Sequence, residues 1–370
     1  CQALKHWFES LNGKSWINYG GWDLMDMSSC CTWYNVYCNN LGQIIKIDLA
    51  SNNVTGQLPN NLNQLTELQT LDLSNNSISG NLPDSINSLV NLKIINLDHN
   101  TLVGHLPAGF GNYMNLTSIH MRYNFFTGTI PPTWANLKLL QSVYLTNNSL
   151  NGLFPTVILE MSSLSELYLD HNSFHGALPA NIGDASNLAI LNLRNNHLHG
   201  SIPISIGNMT KLQSLDLSNN KLKGGISQKL GSLTNLKRLN LGHNFFTGPI
   251  PTQIEQLTKL ESLTLNYNSL NGQFPSSTAP PALGYCYMTP NQFQTCPEKT
   301  IIANPDSLAY QCTVDCPTNV TNTQKTSNAL STYYTLSYNL MSTPVIFVFI
   351  LCWFFNITLT AFLHKIISVV

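Results

Sequence analysis

Nine side chains near the middle of this chain are of kinds that bind or react: His99, His120, Arg122, Tyr123, Tyr144, Tyr168, Asp170, His171 and Arg194. Many of them stand 24 residues apart, as His120, Tyr144 and Tyr168 do, or His99 and Tyr123, or Asp170 and Arg194. Aromatic and Arg groups are what binding hot spots favour, so recognition is the first chemistry to consider. Two others compete. Asp48 and Asp72 are also 24 apart, and two carboxylates about 5–5.5 Å apart suit retaining glycoside hydrolysis. Such a pair needs a pocket that shifts one pKa and excludes water, and an open sheet face supplies none. Asp98 and Asp170 are three periods apart, about 14 Å if one period is one strand spacing, and too far. The stretch HNSFH sets His171 and His175 at the spacing of a helical metal pair, but it falls on a strand and its turn. No HExxH, P-loop or GxSxG occurs. The reading is therefore a non-enzymatic protein with no catalytic residues, no metal site and no cofactor.

The period that spaces these residues runs through most of the chain. Asn recurs at 52, 76, 100, 124, 148, 172, 196, 220, 244 and 268. Gly follows four residues later each time, from Gly56 to Gly272, and Pro three further on, from Pro59 to Pro275, with Ser227 the one exception. The apolar frame repeats as well, as in Leu65, Leu68, Leu71 and Leu73. The consensus is LxxLxxLxLxxNxLxGxxP. Leu71 and Leu73, two apart on a strand, share the inward face, and Asp72 points out. The Asn amide can bond backbone groups that the turn leaves without ladder partners. Gly permits the next turn's dihedrals and Pro stiffens the return. One such coil cannot bury its own apolar face, but stacked coils can.

This pattern resembles the plant-type, 24-residue leucine-rich repeat of extracellular proteins, and it covers about 41–276. The resemblance implies an α/β solenoid: a right-handed superhelix of ten coils with a parallel β-sheet on its concave face. At about 4.8 Å per coil that sheet is roughly 48 Å wide. On it the nine residues named above form columns in coils three to seven, where a ligand would sit.

A solenoid needs caps at its open ends. Leu4, Trp7, Phe8 and Leu11 have helical spacing, and Asn12-Gly13 stops the helix. NGKSWINYGGW and CCTWYNVYC follow, and they resemble the N-terminal cap of extracellular leucine-rich-repeat proteins. In that cap Asn35 replaces a usual Gly, and Asn tolerates positive φ. Eight of the nine cysteines flank the repeats: Cys1, Cys30, Cys31 and Cys38 before, and Cys286, Cys296, Cys312 and Cys316 after. They read as disulfide staples of an oxidising compartment. The resemblance implies Cys1–Cys30 and Cys31–Cys38, while the four later cysteines allow three connectivities. A zinc site would need CxxC-type spacing, and CTVDC alone does not supply it. The domains are then a cap at 1–40, repeats at 41–276, a second cap at 277–317, a stalk at 318–343 and a hydrophobic anchor at 344–370.

Within that last segment 345–363 carries no charge and is long enough to cross a bilayer as a helix. A glycolipid-anchor signal, cleaved after Ser327-Asn328-Ala329, is the alternative. At most seven residues would follow the span, so no cytoplasmic kinase is expected. The chain begins at Cys1, after a removed signal peptide or as a fragment. Glycosylation sequons at Asn53, Asn75, Asn115, Asn147, Asn208 and Asn319 agree with the secretory pathway. A seventh, Asn356, lies inside the proposed span. Charged residues make up 9% and the net charge is −1, so there is no field for nucleic acid.

The expected function is a cell-surface recognition protein that binds a protein, peptide or glycan on its concave face and works with a membrane-spanning co-receptor. The repeat number and cap also resemble the polygalacturonase-inhibiting proteins of plant cell walls, which implies inhibition of a wall-degrading enzyme as the alternative. His99, His120, His171 and His243 on the predicted face suggest affinity that changes between about pH 5 and 7.5. Asp98 and Asp170 adjoin His99 and His171, but alternating strand faces imply no ion pairs there.

Overall fold

A computed structural model describes residues 1–23, 29–274, 277–293 and 297–312 of the 370. The stalk, the anchor, Cys296, Cys316, Pro275, Asn319 and Asn356 lie outside the described residues. Among the described residues no helix is long and apolar enough to cross a membrane.

Each 24-residue coil makes three passes. The first is a three-residue strand such as Thr70–Asp72 or Ser118–His120, the second a strand such as Ser77–Asn81 or Phe125–Gly128, and the third a 3-10 segment such as Asp84–Ser88 or Pro132–Asn136. The first passes stack in register into a twelve-stranded sheet and the second passes into a ten-stranded one. Pairing is parallel from coil to coil, as in Tyr144 between His120 and Tyr168. The edge is different: Val36–Cys38 of the cap pairs antiparallel with Ile44–Asp48 and covers the first coil.

Between the sheets runs one continuous apolar core. Leu68, Leu71 and Leu73 are fully buried, and the equivalents in later coils repeat them. The Asn of each turn is the polar element of this core. Asn100 accepts from the Ile78 N–H of the preceding coil and donates to the Leu73 carbonyl there and the Leu97 carbonyl of its own coil. The same bonds recur at Asn124, Asn148, Asn172, Asn196, Asn220, Asn244 and Asn268. An eleventh rung stands at Asn291, which accepts from Leu270 N–H and donates to Leu265. It follows Asn268 by 23 residues, one short of the period, so the regular spacing misses it. The strand Tyr285–Tyr287 of the same coil extends the first sheet.

The glycines of the turn, from Gly56 to Gly272, all have positive φ. Ser227, in the place of a Pro, instead caps its 3-10 segment by accepting from Lys229 N–H. At the N-terminus the helix Gln2–Ser10 buries Leu4, Trp7 and Phe8. Asn12 (φ 52) ends the helix and Asn35 (φ 55) makes the tolerated turn. Among the described residues the disulfides are Cys1–Cys30 and Cys31–Cys38 in this cap and Cys286–Cys312 in the other.

The 3-10 passes approach most closely at small residues. A Cβ at Gly183 would collide with the Ser205 carbonyl oxygen of the next coil, and backbone cannot move aside as a side chain can. Gly183→Ala should therefore destabilise the protein by about 2 kcal/mol. Urea denaturation measures this, and a change under about 0.5 kcal/mol would show that the coils are not packed this tightly.

Candidate functional site

The outward residues of the first sheet lie side by side in register, so the 24-residue period becomes a ladder of side chains one strand spacing apart. His120, Tyr144 and Tyr168 stack face to face, with ring centroids 4.5 and 5.1 Å apart. The stack ends at Tyr168, because the next residue in register is the short Asn192. Asn96 stands in the corresponding place before His120.

Charged groups hold this stack from both sides. The Arg122 guanidinium lies 5.0 Å from the Tyr144 ring centroid and bonds the Asp98 carboxylate through Nε at 2.8 Å and a terminal nitrogen at 2.7 Å. The Arg122 backbone N–H donates to the same carboxylate, and His120 Nδ1 lies 3.9 Å from it. The Tyr144 hydroxyl donates to Glu166. Ser118 Oγ and His120 Nε2 are 2.7 Å apart. Sequence reasoning missed Glu166 and Ser118. They stand two residues before Tyr168 and His120 on the same strand face, so extending the alternation one step back would have found them.

Burial moves several protonation equilibria. It pushes the Tyr144 hydroxyl up to about 12, helped by the Glu166 carboxylate, and raises Tyr168 in the same way. Burial lowers His120, against the pull of Asp98 and with the push of Arg122. His243, stacked on Tyr267 at 4.3 Å, is lowered by burial and then by Arg194.

Other expected residues stand apart from this cluster. His99 and Tyr123 stack on each other at 4.2 Å along the rim. They belong to a run, from Ser51 to Tyr267 at steps of 24, in which every residue has φ between 51° and 55°. A tyrosine in that left-handed region costs about 1–2 kcal/mol, which ring stacking of about 0.5–1.5 kcal/mol partly offsets. This geometry corrects the expectation about His171. Because φ is 54° there, the chain bends back and His171 Nδ1 meets Asp170 at 2.9 Å. The two residues are not on opposite faces. Asp98 likewise pairs, with Arg122 and His120 rather than with His99. Asp170 is 6% exposed and also accepts from Thr146, so its role is to hold the rim. Arg194 lies three strands beyond Arg122 in the same column and pushes on His243.

The carboxylate pair considered for hydrolysis is already partnered. Asp48 pairs with Lys46 at 3.1 Å, and Asp72 accepts from Ser74 and Asn96. Asp216 repeats the Asp72 pattern with Ser218 and Asn240, and burial raises its pKa. The second His of HNSFH lies on the strand Ser173–Ala177, not on a helix. Among the described acceptor sites, Asn53, Asn75, Asn115 and Asn208 are exposed and Asn147 is half-buried.

Stacked 24-residue coils, two parallel sheets and an asparagine ladder define a solenoid that presents a sheet face. Family models described as "Leucine rich repeat", "Leucine Rich repeats (2 copies)" and "Leucine Rich Repeat" match residues 114–174, 210–250 and 67–89, 91–113 and 187–209, respectively. The chain carries leucine-rich repeats and has the leucine-rich-repeat solenoid fold, and it is similar to plant receptor ectodomains. Over 45 residues it is 42% identical to the MDIS1-interacting receptor like kinase 1 of Arabidopsis thaliana, which is 12% of this chain and 4% of that protein. It is similar to the Arabidopsis receptor kinase HAESA, solved with the peptide hormone IDA and the co-receptor SERK1, with 28% identity, TM-score 0.70, and 79% and 49% of the two chains covered. A plant ice-binding protein is similar over 80% of this chain and 97% of its own, with 26% identity and TM-score 0.66. The chain spans between 36% and 49% of the first receptor ectodomains that it matches.

Proposed function

We propose that this protein is a cell-surface receptor-type recognition module that binds an extracellular peptide across the concave sheet at coils three to seven. One observation carries the reading: His120, Tyr144, Tyr168, Arg122, Asp98 and Glu166 are locked into one preformed cluster in mid-sheet. Rigid aromatic and Arg groups lose little entropy when a ligand orders them, and hot spots are built from such groups. The end of the stack at Tyr168 supplies a ring for an apolar ligand side chain, and Glu166 and Arg122 supply opposite charges beside it. Similar ectodomains have been solved with peptide hormones, and in one case with a co-receptor, which supports a peptide ligand and a membrane-spanning partner here. The residues of the site play no catalytic part in this reading.

The test is unbiased capture of secreted peptides by the protein, followed by variants at the captured ligand. Tyr144→Ala and Tyr168→Ala should each weaken binding by about tenfold or more. Thr264→Ala, on the same face near the far end, should change it less than about twofold. The reverse order of effects would move the ligand away from the cluster and overturn the reading.

A further inference from the structure

The second sheet carries a charge pattern that the proposed peptide site does not use. Its strands, from Thr55–Gln57 to Ser269–Leu270, contain no Asp or Glu. Their outward residues meet their neighbours in register: His175 beside His197, His199 beside Lys221, and Lys223 beside Phe245. All six are exposed. The inward partners Phe174, Leu198, Leu222 and Phe246 are buried, so the outward direction of the six is fixed by the core.

This strip sits in a chain whose charge is divided along its length. Residues 1–170 hold six Lys or Arg against eleven Asp or Glu, a net of −5. Residues 171–251 hold seven against two, a net of +5. The overall charge of −1 hides this division. The basic coils are the ones that carry the strip.

We propose that the strip is a docking surface for a linear acidic polysaccharide, a polyuronate. Three properties select that occupant. Cationic side chains line up across three adjacent strands, about 10 Å from first to last, with Phe245 on the fourth, which suits an extended chain with a regular carboxylate repeat more than a single phosphate. Phe245, 58% exposed beside Lys223, offers an apolar plate for the face of a pyranose ring next to a cation for its carboxylate. Three of the five basic groups are imidazoles, which charge in mildly acidic surroundings. In register His175 meets His197 and His199 meets Lys221, and the adjoining strands Ser149–Leu153 and Phe245–Gly248 have no titratable group. The attraction therefore grows as pH falls.

The experiment measures binding of the full chain to polygalacturonate, to the same polymer fully methyl-esterified, to heparin and to phosphatidylserine vesicles, at pH 5.5 and 7.5. The expected result is salt-sensitive binding to polygalacturonate, stronger at pH 5.5. Loss of charge in the ester, or the triple variant His199→Gln, Lys221→Gln, Lys223→Gln, should each weaken it by about tenfold or more. Phe245→Ser should weaken it several-fold, and Tyr168→Ala in the first sheet should leave it unchanged. Unchanged binding in the triple variant, equal binding of the ester, or preference for heparin or vesicles would overturn the proposal. Circular dichroism of each variant separates loss of the surface from loss of the fold.

Discussion

Replacing Asn124 by leucine should cost about 3–4 kcal/mol of unfolding free energy, read by urea denaturation. Asn124 Oδ1 accepts the Leu102 N–H, and its Nδ2 donates to the carbonyls of Leu97, Met121 and Arg122. The residue is 5% exposed, so water cannot take over these bonds when leucine fills the space. A buried backbone group left unpaired costs about 1–3 kcal/mol, and the Leu102 N–H and Leu97 carbonyl lose the two shortest bonds. Greater apolar burial returns part of the loss, which keeps the net below the sum over all four groups. Position in the stack matters as well. Repeat proteins are stabilised by nearest-neighbour interfaces, and Asn124, which ties its coil to the preceding one, stands in a coil with neighbours on both sides. The same change at Asn291, which ends the ladder, should cost less. A cost under about 1 kcal/mol at Asn124 would mean that the ladder is decoration rather than structure.

The sequence showed this ladder because its cause is periodic. From Asn76 to Asn268 each Asn meets the same backbone groups of its own and the preceding coil, so the same residue type recurs, as do the buried leucines and the positive-φ glycines. The caps were legible for a related reason: helical spacing at Leu4, Trp7 and Phe8 and paired cysteines are local signals. The eleventh rung was not, since one missing residue before Asn291 breaks the count. The site was half legible. Outward alternation placed His120, Tyr144 and Tyr168 on one face, but it assumed that the strand continues to His171. The chain leaves strand geometry there, with φ at 54°, so Asp170 turns into the rim and meets its neighbour. Glu166 was missed because the count of outward positions began one step too late. Which neighbours in register pair with which depends on side-chain rotamers, and no spacing encodes that. The division of charge between coils lay in the sequence throughout, concealed by a net charge near zero.

Arg122→Ala should destabilise the protein by about 2–3 kcal/mol at pH 8, and by clearly less at pH 5.5. Asp98 is 5% exposed and Arg122 38%. Removing the partner of a buried charge costs about 3–5 kcal/mol, and the exposure of Arg122 discounts that figure through solvent screening. The Asp98 carboxylate would keep only a backbone N–H and the nearby His120 ring, 3.9 Å away. In the wild type burial lowers the His120 pKa, and Arg122 adds to that while Asp98 opposes it. The folded state then binds fewer protons than the unfolded state as pH falls past the usual imidazole range, so this residue's contribution to stability declines with acidity. Without Arg122 the push is gone and the pull of Asp98 remains, so the His120 pKa rises. A protonated His120 then takes the place of the guanidinium as counter-ion, and the variant recovers stability relative to the wild type at the lower pH. Urea denaturation of both proteins at pH 5.5 and 8 measures the two gaps, and nuclear magnetic resonance of the imidazole follows the titration. The double variant Arg122→Ala, His120→Gln has no group to charge, so its deficit should not narrow in acid. An equal gap at both pH values in the single variant, or the same narrowing in the double variant, would show that His120 does not share the Asp98 charge with Arg122.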